Sequence, residues 1–188
     1  MEEQLSLISA KGSILEEVKR LYLEAFPAEE RKPFHVIEEL CEKGRMELLA
    51  IMEGERFIGL DINMLAPGTD LRLLDYFAIA PSVRGGGYGS RALKCICERF
   101  SGHQFIFEIE PQDEAAENAE QRSRRKAFYL RNGLLESGLY VSLFHVPFEL
   151  LSTKPGLRYQ DYTDALAATF GKVYFEMAEP KLLKQENL

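Results

Sequence analysis

Cysteine and histidine are scarce in this chain, three of each among 188 residues. An odd number of thiols cannot all pair. Cys95 and Cys97 sit two apart in a helix-like segment, where their side chains point to different faces, and Cys41 lies in another. Neither a disulfide framework nor a C-x-C chelate is encoded, so reduced thiols and a cytoplasmic location are the default. His35, His103 and His145 show no H-x-x-x-H spacing, and no metal is implied. No Ser-His-Asp or Cys-His arrangement is legible, which removes the nucleophile that an acyl-enzyme route needs.

Positive charge is also short. Against 30 Asp and Glu stand 23 Lys and Arg, a net charge of -7, so the basic face that nucleic acid requires is missing. The acidic balance suits cationic amines as well as simple solubility. No apolar run approaches the roughly 18 residues of a membrane span, and the acidic start Met1-Glu2-Glu3 is unlike a signal peptide. Repeats, linkers and low-complexity stretches are absent. One domain over residues 1–188 is expected, long enough to bury about 70% of the surface that its unfolded form exposes. Its core covers about 1–150, with 151–188 as a C-terminal helix and tail.

The apolar spacing reads as alternating strands and helices. Gln4 to Ile8 alternates like a first strand. Ser13 and Glu16 have the spacing of a capping box, and Ile14, Leu15, Val18, Leu21, Tyr22 and Ala25 follow at helical intervals until Pro27. Pro33 opens a second helix that ends before Gly44. Glu47 to Met52 and Arg56 to Leu65 form a hairpin through Glu53-Gly54-Glu55, and Leu73 to Ile79 is the next strand. Arg91 to Phe100 is helical, Gln104 to Glu110 strand-like, and Pro111 to Glu117 an acidic loop. Asn118 to Asn132 reads as a helix with Ala119, Ser123, Ala127 and Leu130 on a small-residue face and Gly133 as its cap. Leu139 to His145 is another strand. Tyr159, Tyr162, Leu166 and Phe170 mark a late helix, and Val173 to Phe175 a last strand or tail. Phe144, Phe148 and Leu150-Leu151 offer an apolar patch for a homodimer. The order β-α-α-β-β-β-α-β-α-β specifies an α/β fold with a mixed sheet and helices on both faces.

The most informative stretch is Arg84-Gly85-Gly86-Gly87-Tyr88-Gly89-Ser90, between a strand and a helix. Glycines leave backbone N–H groups uncovered, and the following helix adds its own unpaired donors, a setting for phosphate or pyrophosphate. A Walker loop needs Gly-Lys-Ser/Thr, but Ser90 and Arg91 follow Gly89. A dinucleotide fingerprint fits Gly85 and Gly87, with Glu108 or Glu110 as its acid. It fails at Ser90, and five residues, Ala80 to Arg84, separate strand from glycines.

What remains resembles the Q/R-x-x-G-x-G/A loop of the GNAT family of acyl-CoA N-acyltransferases. Tyr76-Phe77-Ala78-Ile79-Ala80-Pro81 is similar to that family's fourth strand and its proline, and Phe128-Tyr129-Leu130-Arg131-Asn132-Gly133-Leu134 to its Y-x-x-x-G-F helix ending. The resemblance is strongest over Leu73 to Leu134. It implies a mixed, mostly antiparallel central sheet flanked by helices on both faces. It also implies N-acetyl transfer from acetyl-CoA to a primary amine by direct attack in a ternary complex, the amine being a small molecule or part of a peptide or protein.

In that reading the amides of Gly85, Gly86, Gly87, Tyr88, Gly89 and Ser90 ring the pyrophosphate, with Arg84 at the entrance. Phe77 and Ile79 offer backbone groups to the pantetheine arm, and acetyl-CoA lies in the groove opened between the strands of Asp75 and Glu110. Tyr129 is the general acid for the departing thiolate. Ser123 stands where the family often carries a cofactor-touching Asn. The base is Asp75 or Glu110, with Glu110 preferred and Glu108 placed on the same strand face. Arg122, Arg124, Arg125, Lys126 and Arg131 read mainly as a solvated helix face, with the CoA 3′-phosphate as the alternative partner. A non-catalytic acyl-CoA-binding module on the same fold and a nucleotide- or NAD-binding domain are the rival readings.

Overall fold

The computed structural model describes residues 4–186; the Met1-Glu2-Glu3 start lies outside them. The elements run β1 (Leu5–Ser9), α1 (Gly12–Ala25), α2 (Phe34–Glu42), β2 (Met46–Glu53), β3 (Arg56–Met64), β4 (Leu71–Ile79), α3 (Tyr88–Arg99), β5 (Gln104–Ile109), α4 (Ala119–Arg131), β6 (Leu135–Leu143), β7 (Val146–Ser152), α5 (Tyr159–Phe170), α6 (Lys172–Ala178) and β8 (Lys181–Gln185). Short 3-10 turns cover Ala28–Glu30 and Pro81–Val83. The strands hydrogen-bond in the order β1-β2-β3-β4-β5-β7-β6-β8, an eight-stranded, mostly antiparallel sheet. Among the described residues no helix is long and apolar enough to cross a membrane.

The chain divides into two units. One runs up to Leu65 and continues over Leu74–Ser101; the other comprises Ala66–Leu73 and the chain from Gly102 on.

In the first unit β2 and β3 carry continuous buried runs, apolar in β2 and interrupted in β3 by Asp61 and Asn63. Leu48 to Met52 and Ile58 to Met64 are buried without alternation, as expected of strands covered on both faces. Val18, Leu21 and Tyr22 of α1 and Ile37 and Leu40 of α2 supply part of that cover. The hairpin register pairs Glu53 with Arg56, leaving Gly54-Glu55 as a two-residue turn, with Gly54 at φ +58. Gly59 is required by space: a Cβ there would lie 2.3 Å from the Ala78 carbonyl oxygen of β4. The capping box does not form. Helix α1 begins at Gly12 with Lys11 at its cap and no side-chain cap bond, so Ser13 already lies inside the first turn.

In the second unit Phe105, Ile106 and Phe107 of β5 pack with Leu139 and Val141 of β6, Leu150 and Leu151 of β7, and Tyr162, Ala165 and Leu166 of α5 in the buried core. Three elements depart from expectation. Val173 to Phe175 lie in helix α6, and β7 and β8 are strands where none was expected. The apolar patch dissolves for the same reason: Leu150 and Leu151 point into the core, and only Phe144 of that set is exposed. Phe144-His145 forms the β6–β7 turn, both residues at positive φ. In α4 the small-residue face is turned outward, with Ser123, Ala127 and Leu130 exposed, while Arg122, Lys126 and Tyr129 are half-buried on the opposite face.

One core group titrates near neutrality. Asp61 on β3 is fully buried and accepts a 2.7 Å bond from the Asn63 amide, while its Oδ1 and the Asn63 Oδ1 have no partner among the described residues. Burial pushes its carboxyl up to about 7, with the Asn63 bond opposing. Because the folded state holds this proton more tightly than an unfolded Asp of pKa about 3.9, the contribution of Asp61 to stability falls as pH rises from roughly 4 to 7. Asp61→Asn removes that slope. Urea denaturation at pH 5 and pH 8 should show the variant gaining on the parent by about 1–3 kcal/mol between the two; a pH-independent difference would rule out a titrating Asp61.

Candidate cofactor and catalytic residues

The glycine segment is a strand-to-helix connection with its donors left open. After β4 the chain makes the Pro81–Val83 turn, whose Val83 is buried, and Arg84 continues extended. Gly85 and Gly87 then adopt φ +86 and +74, the left-handed region that side chains disfavour, and α3 starts at Tyr88. Among the described residues, none of the N–H groups from Gly85 to Ser90 donates to a backbone carbonyl; the next, Arg91, reaches the Gly87 carbonyl at 3.3 Å. No atom lies within 4 Å of the Cβ positions of Gly85 or Gly87, so their backbone is approachable. Unpaired donors and the positive end of the helix dipole coincide here.

Side chains hold this loop in place. The Tyr88 hydroxyl donates to Glu53 Oε2 at 2.5 Å, and the Arg91 guanidinium donates to Glu53 Oε1 at 2.9 Å. The Tyr88 hydroxyl and Arg91 together hold the Glu53 carboxyl below its ordinary range, the hydroxyl bond contributing most. The Tyr88 ring lies against Gly86, where an added Cβ would meet it at 3.2 Å. Arg84 folds its Nε onto the Ile79 carbonyl at 3.2 Å, so that carbonyl is already engaged. A cleft of about 290 Å3 opens beside the Pro81 turn, lined by Glu17, Arg20, Leu21 and Glu24 of α1 with Phe57 and Ser82.

Asp75 of β4 is the second feature of the first unit. Its side chain is 6% exposed, and its Oδ1 takes a 2.6 Å ion pair from Lys32, in the segment joining α1 to α2. Its Oδ2 is buried without a partner among the described residues. Burial raises the Asp75 carboxyl above the usual range, and the Lys32 ammonium opposes that rise. Lys32 was not legible as a site residue: Arg31-Lys32-Pro33 has no periodicity or motif to mark it.

The second unit holds Tyr129, Glu108, Glu110 and Ser123. Tyr129 packs on Phe107 of β5 with ring centroids 5.2 Å apart. Among the described residues its hydroxyl has no hydrogen-bond partner, and burial raises its pKa above the ordinary value, keeping it a donor at neutral pH. Ser123 is exposed. Glu110 is held by Asn118 at 2.9 Å, Arg125 at 3.0 Å and Arg122 at 3.3 Å, all from the start and body of α4. Glu108 instead accepts a 2.6 Å bond from Tyr162 of α5. The two carboxylates therefore serve different elements, because the chain leaves the strand at Ile109 and the alternation that would align them stops there.

The basic cluster is less solvated than its composition suggested. Arg124 pairs with Glu120 in the open, but Arg122 and Arg125 are committed to Glu110, and Lys126 bridges Glu136 and Glu149. Burial pulls the Lys126 ammonium down, and the two carboxylates outweigh it, leaving its pKa raised. Glu149 is 3% exposed at its side chain and sits on β7, the strand that the sequence concealed.

No family model matches the chain, and no curated protein matches it by sequence. Solved structures do. An acetyltransferase of the GNAT family from Bacteroides thetaiotaomicron, itself described as putative, superposes with a TM-score of 0.68 at 24% identity, over 92% of this chain and 98% of that one. A spermidine N-acetyltransferase from Vibrio cholerae, in complex with CoA and spermine, gives 0.59 at 15% identity, over 79% and 94%. A ribosomal alpha-N-protein acetyltransferase gives 0.55 at 16% identity, over 79% and 92%. Element order, sheet topology and these superpositions agree: the chain is built on the GNAT acetyltransferase fold.

Proposed function

We propose that the protein is an N-acetyltransferase that moves an acetyl group from acetyl-CoA to a primary amine by direct attack. The observation that carries this reading is the row of open N–H groups from Gly85 to Ser90 at the N-terminus of α3, held by the Glu53–Tyr88–Arg91 contacts. An anionic pyrophosphate satisfies such donors without any side-chain charge. That a neighbour in fold was crystallised with CoA supports the choice of ligand. Two neighbours in fold are named for acetylating spermidine and the alpha nitrogen of a ribosomal protein, and both acceptors are amine nitrogens, which supports that acceptor class.

The chemistry then divides among named residues. A lysine-like amine, of pKa about 10.4, is neutral in only roughly one molecule in two thousand at pH 7, so a base must take its proton. The neutral nitrogen attacks the thioester carbonyl, the C–N bond forms, and the C–S bond breaks. Tyr129 gives its hydroxyl proton to the departing thiolate, and the second proton that the nitrogen sheds as the amide forms returns to the tyrosine oxygen. For the base, surroundings favour Asp75 over Glu110. Asp75 keeps one oxygen unpartnered and its proton affinity is raised, whereas Glu110 is occupied by two guanidinium groups and an amide. Phe77 contributes backbone groups to the pantetheine arm, and Ser123, exposed on α4, adds a hydroxyl for the cofactor.

Thermal-shift titration against acetyl-CoA, CoA, NAD and ATP tests the cofactor. Ligand at one hundred times its Kd stabilises by about 2.7 kcal/mol, and selective stabilisation by acetyl-CoA and CoA is expected. Stabilisation by NAD or ATP alone would overturn the reading. Gly87→Glu, which brings a side chain and a negative charge to the open amides, should abolish acetyl-CoA binding in the same assay; unchanged affinity would make the loop a turn and nothing more. Tyr129→Phe should lower kcat by about 10²-fold while acetyl-CoA affinity is kept, as removal of a general acid does. Turnover equal to the parent's would remove Tyr129 from the chemistry. Cofactor binding with no transfer to any amine of a broad panel would instead favour the non-catalytic acyl-CoA-binding module.

A further inference from the structure

The surroundings of Lys32 form a cation site that the chain fills with its own side chain. Four rings of the first unit cluster here: Tyr22 and Tyr76 lie 4.8 Å apart between centroids, Phe26 and Tyr76 4.9 Å, and Tyr22 and Phe34 5.4 Å. The Lys32 ammonium lies 5.2 Å from the centroid of Tyr76 and 2.6 Å from Asp75 Oδ1. Aromatic faces beside a buried carboxylate are the chemistry that recognises an alkylammonium group. The carboxylate is more than nine-tenths buried, and its second oxygen has no partner, so Lys32 leaves the site's hydrogen-bonding capacity partly unused.

The backbone of the same segment is clipped down at both sides. The Lys32 N–H donates to the Tyr76 hydroxyl at 3.0 Å, the Tyr22 hydroxyl donates to the Lys32 carbonyl at 2.9 Å, and the Tyr76 hydroxyl donates to the Glu30 carbonyl at 2.9 Å. The Lys32 side chain remains 20% exposed, so the site has an opening to solvent. Loop 27–33 therefore acts as a latch whose tip is the ammonium itself.

We propose that the Tyr22, Phe26, Phe34, Tyr76 and Asp75 cluster is a recognition site for a primary alkylammonium group, and that Lys32 is its built-in competitor. A tethered occupant acts at an effective concentration in roughly the millimolar range, so an external cation binds with an apparent affinity reduced by the fraction of sites that Lys32 leaves open. The site and its latch concern binding alone. Their assignment to the acceptor amine rests on the acetyl-transfer reading above, with Asp75 then both positioning the ammonium and accepting its proton.

The test uses n-butylammonium chloride on the full chain at constant ionic strength, with n-butanol as the neutral control, and calorimetric titration with thermal melts as readouts. Lys32→Ala should melt below the parent and bind n-butylammonium at least tenfold more tightly, with its melting point restored by several degrees. Adding Asp75→Asn to that variant should abolish both effects, and n-butanol should produce neither. Equal affinity in parent and Lys32→Ala, or stabilisation surviving in the double variant, would overturn the proposal. A second readout needs no variant. Displacement of Lys32 releases loop 27–33, so n-butylammonium should accelerate cleavage of the parent by a glutamate-specific protease after Glu30, and n-butanol should not. Cleavage indifferent to the cation would also overturn the proposal. The acetyl-CoA melts are unaffected by any of these outcomes, so failure of the cation site and failure of the transferase reading are told apart.

Discussion

The constraint on which the functional reading depends is a deficit of acceptors between Arg84 and Arg91. Backbone donors inside a fold are almost always paired, and the first turn of a helix is the usual exception. Here that exception is extended by three consecutive glycines, two of them at positive φ, so six successive N–H groups find no backbone acceptor among the described residues. Such an array is worthless unless it is rigid. Rigidity comes from the Pro81 turn with its buried Val83, and from Glu53, which receives both Tyr88 and Arg91. Glu53 ends β2, beside the hairpin turn at Gly54-Glu55, so the register of that hairpin helps to fix the loop.

In the second unit the cations of α4 are treated the opposite way, by pairing. Helix α4 turns Arg122 and Lys126 toward the fold and exposes its small residues. That orientation is stable because each inward cation finds a carboxylate: Arg122 meets Glu110, with which the exposed Arg125 also pairs, and Lys126 meets Glu149. Burying one partner of such pairs without the other is costly, so the pairs act as a register for α4. The register brings Tyr129 against Phe107 and leaves its hydroxyl unoccupied. A general acid needs that freedom, since a hydroxyl already donating elsewhere must break a bond before it can protonate a thiolate.

Much of this was legible in the sequence, and the failures share a cause. Elements with clear periodicity fell where expected: β2 and β3 with their Gly54 turn, β4, α3, α4 and α5 all lie within a few residues of the segments read from apolar spacing. The glycine loop could be read because positive φ and exposed amides demand a residue type. What could not be read depended on tertiary partners. Strand β7 begins Val146-Pro147-Phe148, a short run with a proline, and it is fixed by pairing with β5 and β6 over Glu149 to Ser152. The edge strand β8 is exposed throughout and has no core face to give it an alternation. The basic residues of α4 were read mainly as a solvated face, whereas Arg122 and Lys126 lie half-buried against carboxylates that other elements supply. Lys32 and Glu53 carried no local signal at all.

Asp75 and Glu110 show how little composition alone says about a carboxylate's surroundings. On strand pattern Asp75 equals Glu110 as a candidate, since both are carboxylates in or next to successive strands, Asp75 in the middle of β4 and Glu110 just past the end of β5. Their environments separate them. Glu110 stands among guanidinium groups that gain from its charge, and its oxygens are spent on holding α4. Asp75 has lost its water, retains one vacant oxygen, and is balanced by one cation on a short loop. Removing that cation leaves a buried charge, which must then take a proton or attract another cation. Both responses are what an amine-activating carboxylate has to do, and the sequence supplies them through a lysine forty-three positions away rather than through any motif around Asp75.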